Sequence, residues 1–164
     1  ITEALVFVQK KLRAELTAQG HVLTGKLRNS INVVLRKSGA SVEMSVEMET
    51  YGLAVDEGVI ASRIPYYPGS GRKTSKYILG LIRFFKLKGL SLKNARSAAF
   101  ATATVHKREG MPTQRSHEFS SNGRRTGFIT YTINSISPEV ERILDLAIDN
   151  RIFNKIVRLL ESNG

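Results

Sequence analysis

The chain has no cysteine among its 164 residues. That excludes thiol catalysis, disulfide frameworks and zinc sites built on thiolates, and it fits a reducing compartment. Long apolar runs are missing too. No stretch approaches the ~20 residues that a membrane span needs, so no membrane partner is expected. Histidine is scarce: His21, His106 and His117 stand far apart, without the short spacings of a metal motif. The opening Ile1-Thr2-Glu3 lacks both a methionine and a signal-peptide pattern; the natural start is expected to be longer or processed. Acid is nearly absent from the middle of the chain. Residues 61–125 hold 14 Lys/Arg against Glu109 and Glu118, a net of +12 out of a total of +11, and the flanks sum to −1. Such a block attracts nucleic acid or an acidic protein surface; its bland reading is a solvated face that aids solubility.

What is present suits one globular domain, or one with a large insertion. At this length folding buries roughly 70% of the surface of the unfolded chain. Leu5, Val8, Leu12 and Leu16 mark an amphipathic helix over residues 3–18, ended at Gly20. Thr24 is expected to cap a short helical turn through Lys26–Ser30. The period then changes to two. Ile31, Val33 and Leu35 alternate, and after Lys37-Ser38-Gly39-Ala40 so do Val42, Met44, Val46 and Met48 against Glu43, Glu47 and Glu49. This predicts a hairpin with an apolar face and an acidic face. The glutamates stand about 7 Å apart along a strand with no histidine nearby, so a solvated or interface face is expected rather than a metal site.

Further along, Pro65, Pro68, Gly69 and Gly71 mark a loop. Helices are expected over 76–88, carrying Tyr77, Leu81, Phe84 and Phe85, and over 91–106, carrying Leu92, Ala95, Ala99, Ala103 and His106. They join near Gly89, with Ser91 as a cap. The small residues of the second helix suit a close helix contact. Residues 110–127 read as polar and mobile. Ile129, Tyr131 and Ile133 suggest a third strand. Ser137-Pro138-Glu139 reads as the start of a C-terminal helix, whose stripe runs through Val140, Leu144, Ala147, Ile148, Ile152, Ile156 and Leu160.

The motifs that resemble catalytic ones fail on spacing. Pro68–Ser75 lacks the phosphate-loop pattern, because Arg72 separates Gly71 from Lys73 and no strand precedes it. Ser116 and His117 are neighbours whose side chains diverge, and nothing orients them as a triad. Asp56 and Glu57 are adjacent on a helical turn, where they do not share a proton. The expectation is no enzyme activity, no cofactor and no bound metal. The helix pair over 76–106 admits a helix-turn-helix reading, with Lys93 and Arg96 early on the second helix. Against it, Ala98, Ala99, Ala101 and Ala103 leave few long side chains to read bases.

Two segments carry a resemblance. Thr24-Gly25-Lys26-Leu27-Arg28-Asn29-Ser30-Ile31 precedes the hairpin, and Tyr51-Gly52-Leu53-Ala54-Val55-Asp56-Glu57-Gly58 follows it. Together they resemble the head–tail joining and tail-completion (neck) proteins of tailed bacteriophages. That family has a Thr-Gly-x-Leu-x-x-Ser-Ile segment, a hairpin, then Tyr-Ala-x-x-Val-Glu-x-Gly. Gly52 stands for the usual small residue, and an acid pair stands where one acid is common. Residues 61–125 depart from the pattern, with a basic helical hairpin where an aromatic-proline segment is expected.

The resemblance implies an α+β fold: a small antiparallel sheet packed on amphipathic N- and C-terminal helices. It implies no catalytic activity. It implies a structural virion protein, a ring subunit at the neck, connector or upper tail that surrounds the DNA passage. The core domain is expected over 1–60 and 126–164, with 61–125 as the basic insertion. Thr24, Gly25, Leu27, Ser30, Ile31, Tyr51, Gly52, Val55, Glu57 and Gly58 are the expected assembly and core motif, packed as one unit, with Tyr51 and Val55 on the same core. Arg63, Arg72, Lys73, Lys76, Arg83, Lys86, Lys88, Lys93 and Arg96 are the expected contacts to a partner or DNA. The partners expected are further copies of the chain in a cyclic homo-oligomer of six or twelve, neighbouring portal, connector or tail proteins, and packaged DNA. The location is the virion, after assembly in the host cytoplasm. The alternative is a DNA-binding protein using the basic helix-turn-helix-like hairpin.

Overall fold

The computed structural model describes residues 2–38, 41–69 and 74–162. The chain is α+β: 66% helical, with one two-stranded antiparallel sheet and helices at both ends. It divides into two compact units. Unit one comprises Ile1–Thr17, Gly25–Glu49 and Phe128–Gly164; unit two comprises Ala18–Thr24 and Thr50–Gly127. By contacts the chain passes between the units at 17/18, 24/25, 49/50 and 127/128.

In unit one, α1 (Thr2–Ala18) buries Ala4, Val8, Leu12 and Leu16 at a spacing of four, the stripe that a 3.6-residue period demands. Its polar side chains hold the next element. Gln9 Nε2 and Arg13 Nη2 each donate to the Ile31 carbonyl at 2.8 Å. That carbonyl follows α2 (Lys26–Ser30), whose last orphan acceptors need such partners. The cap of α2 differs from expectation. Gly25, not Thr24, occupies the cap position, with φ 73°, and Thr24 before it is exposed. A left-handed entry needs glycine more than a hydroxyl.

The hairpin follows as expected. β1 (Asn32–Ser38) pairs antiparallel with β2 (Ser41–Glu47), with Val33 opposite Val46 and Leu35 opposite Met44. Ile31 and Val33 are buried, whereas Leu35 is 39% exposed, so the apolar face is covered at its base and opens along β1. On the acidic face Arg36 meets Glu47 at 2.6 Å.

The final helix corrects two expectations. There is no third strand at 129–133, and the helix does not begin at Ser137. α6 runs unbroken over Phe128–Ser162, with Pro138 inside it. Phe128, Thr132, Ile136 and Ile143 are buried, and Tyr131 is exposed. The alternation of Ile129, Tyr131 and Ile133 is incidental to a period of four. Thr132 can face the core because its hydroxyl donates to the Phe128 carbonyl of its own helix, at 2.6 Å. Ser137 likewise donates backwards, to the Ile133 carbonyl at 2.8 Å, rather than accepting as a cap.

In unit two, α3 (Gly52–Glu57) leads through a 3₁₀ turn at Ala61–Arg63 to α4 (Lys76–Leu87) and α5 (Leu92–Glu109). Ser75 and Ser91 cap the two long helices, accepting from the backbone N–H of Ile78 and Asn94. Ala95, Ala99 and Ala103 are fully buried and form the seam against Ile78 and Ile82, edged by Tyr66, Tyr77, Leu81, Phe85 and Leu90. The expected close helix contact is there, and the alanines make it. Residues 110–127, expected to be mobile, contain a 3₁₀ helix at Gln114–Phe119. They are tied to the start of the unit: Ser121 N donates to the Ala18 carbonyl at 2.8 Å, Gln19 Nε2 to the Thr126 carbonyl at 3.1 Å, and His21 Nε2 to the Arg125 carbonyl at 3.0 Å.

Candidate functional site

The two motif segments fall in different compact units. Residues 25–49 belong to unit one, and Thr24 and residues 50–58 to unit two. Within unit one the first motif is a packing device. Leu27 and Ile31 are buried, as expected for anchors of the turn. Ser30 is its stitch: the hydroxyl donates to the Leu27 carbonyl at 2.8 Å and accepts from Glu49 N at 3.0 Å. Lys26 adds an ion pair to Glu49 at 3.1 Å. The short helix is thereby fastened just past the end of β2.

The second motif is built differently. Gly52 is buried, Val55 and Asp56 are half-buried, and Glu57 is exposed. Tyr51, expected in the core, is 45% exposed; it is its carbonyl that is used, accepting from Val55 N. Leu53 and Ile60 are also open, at 55% and 63%. Gly58 ends α3 with φ 78° and ψ −177°, a region that essentially only glycine adopts. The next residue, Val59, forms an isolated antiparallel bridge with Met111, exchanging bonds of 2.6 and 2.7 Å. Gly110, on the other side of that bridge, has φ 86° and ψ −166°. A Cβ on Gly58 would lie 2.6 Å from the Met111 carbonyl, and one on Gly110 would lie 2.6 Å from the Val59 carbonyl. No local sequence signal announces this glycine-flanked bridge, because its halves are remote in sequence.

The basic residues sort by element. Lys76, Arg83 and Lys86 lie on α4, Lys88 in the turn after it, Lys93 and Arg96 on α5, and Arg63 on the 3₁₀ turn; all are exposed. Arg72 and Lys73 lie outside the described residues, as does most of the glycine-rich loop around them. On α4 the spacing sets Lys76, Arg83 and Leu87 on the face opposite the buried Ile78 and Ile82, with Leu79 on its flank, whereas Lys86, four residues after Ile82, lies at the edge of the buried face. Leu79 and Leu87 are each 54% exposed. On α5, Lys93, Arg96 and Phe100 share a face away from the alanine seam. Of the alanines counted against base reading, Ala99 and Ala103 are buried in the seam, Ala98 is half-buried and Ala101 is exposed. Lys107 is different: its ammonium is 3.1 Å from the Ile64 carbonyl and 4.9 Å from the Tyr67 ring centroid, which holds the 64–67 segment to α5.

Among the described residues Ser116 and His117 are held apart by their own partners. Ser116 Oγ donates to the Thr113 carbonyl, and His117 Nδ1 lies 2.9 Å from the Gly123 carbonyl, so neither engages the other. Among the described residues no three His, Asp or Glu side chains converge as a metal site. A shallow depression is lined by Val105, Arg108, Glu109, Gln114, Arg115 and Glu118. Its charges are taken up in Arg108–Glu109 and Arg115–Glu118 pairs.

One titratable pair stands out. The Tyr77 hydroxyl lies 2.6 Å from His106 Nδ1, joining the start of α4 to the end of α5. Burial pushes Tyr77 up to about 12, so the hydroxyl keeps its proton and the imidazole accepts. Burial also holds His106 below its ordinary 6.5, against an opposing pull from Glu109. Sequence reasoning places both residues on helices but has no signal for their meeting. A depressed histidine favours the neutral folded form. Its stabilising contribution is complete above the unfolded value of 6.5 and is lost as pH falls through the lower folded value. His21, also lowered by burial and then by Arg125, acts in the same direction. Thermal unfolding should therefore shift to lower temperature between about pH 7.5 and about pH 5. His106→Asn keeps an acceptor for Tyr77 without titrating, and its profile should be flatter. An unchanged slope in that variant would remove His106 as the sensor.

Compared with protein-family models, with curated proteins and with solved structures, the chain matches none.

Proposed function

We propose that the chain is a structural subunit of a tailed-bacteriophage virion, forming a ring at the head–tail junction or upper tail around the path of the DNA. The observation that carries this reading is the open apolar surface beside the second motif: Tyr51, Leu53 and Ile60 are 45%, 55% and 63% exposed. Exposed apolar side chains this close together in the sequence are what a contact surface would draw on. The glycines and buried leucine of the motif segments serve backbone geometry and packing, which suits a subunit whose work is shape. The mechanism is geometric: each copy presents one surface to its neighbour and a different one to the next, and rotation closes the set.

The basic α4–α5 hairpin then serves as a docking face. Phosphate contact requires only cations, yet here Leu79, Leu87, Leu92 and Phe100 are exposed along the same helices. Interleaved apolar and cationic groups suit an acidic protein surface, for which charge steers and apolar area binds. Negative-stain electron microscopy of the purified chain, alone and with the neck complex, tests the reading. Rings are expected, and Leu53→Asp should abolish them while leaving helicity intact. A strict monomer that joins no particle would overturn it.

A second reading, DNA binding by the hairpin, is favoured by the exposed Lys93, Asn94, Arg96 and Ser97 on α5, the side of that helix left free by the alanine seam. It predicts salt-dependent DNA retention by the isolated protein. Under the first reading, neutralising Lys76, Arg83 and Lys86 with glutamine impairs particle assembly and spares thermal stability; under the second it abolishes DNA retention.

A further inference from the structure

The C-terminal helix outruns the core from which it starts. Phe128, Thr132, Ile136 and Ile143 are its buried positions. Between Ile143 and Lys155 no residue of α6 is buried, and from Ile148 to Lys155 every residue is exposed. This length is not polar. Leu146, Ile148, Ile152 and Phe153 are 49%, 54%, 54% and 65% exposed. A helix gains its stability from a covered apolar face rather than from propensity alone, so a cover is called for.

The charges identify the cover. Successive helical residues turn by about 100°. Asp145 and Asp149 therefore form one stripe. Arg151, Lys155 and Arg158 form another, centred about 130° away around the axis. Exposed apolar residues edge both: Ile148 borders the basic stripe, and Ile152 and Phe153 flank the acidic one. Acid and base thus lie on different sides of one helix. A two-fold pairing of antiparallel helices brings like flanks together, acid to acid. Side-by-side packing of parallel helices, each rotated about a common axis, brings the acidic flank of one against the basic flank of the next. Asp149 and Arg151 are offset by only about 3 Å along the axis, within reach of an ion pair between neighbours. In a closed ring of helices the two contact directions on each helix subtend the interior angle, about 120° for six and 150° for twelve, and the stripe separation falls within that range.

We propose that the exposed length of α6 is the contact between adjacent copies of this chain, the Asp145/Asp149 side of one helix packing on the Arg151/Lys155 side of the next. This rests on the ring reading and names the element that closes the ring. The test begins with unaltered protein, whose ring formation by sedimentation and electron microscopy reads the ring proposal alone. Asp149→Arg and Arg151→Asp should each raise the concentration needed for assembly roughly tenfold, as expected when exposed ion pairs become like-charge contacts. An equal mixture of the two variants should restore assembly. In alternating order, the cation introduced by the first variant meets the carboxylate introduced by the second, and the next interface regains the unaltered pair. Circular dichroism confirms that both variants keep their helix. Rings from the unaltered chain that are indifferent to both reversals would overturn this contact and leave the ring reading standing. So would variants that assemble normally but fail to join the neck complex, since a foreign protein would then cover α6. Single variants that fail and are not rescued by mixing would also overturn it. An unaltered chain that forms only a two-fold dimer would overturn both proposals.

Discussion

Replacing Phe128 with alanine is expected to lower the stability of the chain by roughly 3–5 kcal/mol, the range for deleting a buried aromatic ring. Phe128 is fully buried and the largest such side chain among the described residues. It is also the first residue of α6 and the acceptor of the Thr132 hydroxyl through its carbonyl. Removing the ring takes away the apolar anchor that lets a helix begin nine residues before the sequence signal at Ser137. Phe128→Leu keeps most of the volume and should lose less than about 1.5 kcal/mol. Urea unfolding of the full chain measures both. A loss below about 1 kcal/mol for the alanine variant would mean that the ring is not part of the core.

Gly58→Ala should be nearly as damaging, at roughly 2–4 kcal/mol. Two effects combine. The backbone at φ 78°, ψ −177° excludes a side chain, and the added Cβ would press on the Met111 carbonyl at 2.6 Å and on Pro112 Cδ at 3.3 Å. Gly110→Ala meets the mirrored obstacle at Val59. Because both substitutions open the same bridge, the double variant should lose clearly less than the sum of the two. Gly80→Ala is the control of opposite sign. Gly80 is exposed on α4, and a Cβ there meets nothing within 4 Å, so alanine should stabilise by up to about 1 kcal/mol. Full additivity at Gly58 and Gly110 would dissolve the account of a shared bridge.

What can be read from the sequence is what depends on near neighbours. The stripe of α1, the hairpin and the cap at Ser91 are patterns within a few residues, and each is present. The alanine seam of α5 is legible for the same reason. Errors arise where one pattern fits two periods. Ile129, Tyr131 and Ile133 alternate, but Ile129 and Ile133 are also four apart, and only the burial of Phe128 and Thr132 decides between strand and helix. Thr24 has the chemistry of a cap, while the left-handed Gly25 beside it takes the position. For the candidate surfaces, composition locates the basic residues correctly on α4 and α5. It does not show which leucines stand exposed beside them. Tyr51 reads as a core residue because hydrophobic residues usually go there, but the motif that carries it is held by backbone bonds and glycines. The Tyr77–His106 contact and the Val59–Met111 bridge join positions too far apart for any local signal.

That bridge also bears on how the protein folds. Val59 and Met111 close a loop of about fifty residues, and the entropy of closing such a loop in a flexible chain is on the order of 3–4 kcal/mol. Two backbone hydrogen bonds do not offset that alone. The α4–α5 hairpin lies wholly within the loop, and its contacts are between neighbours in sequence. Once formed, it replaces a long flexible tether with a short folded one and brings the ends of the loop together. Loosening the alanine seam should therefore delay closure of the bridge, and the penalty would appear in the refolding rate before it appeared in the rate of unfolding.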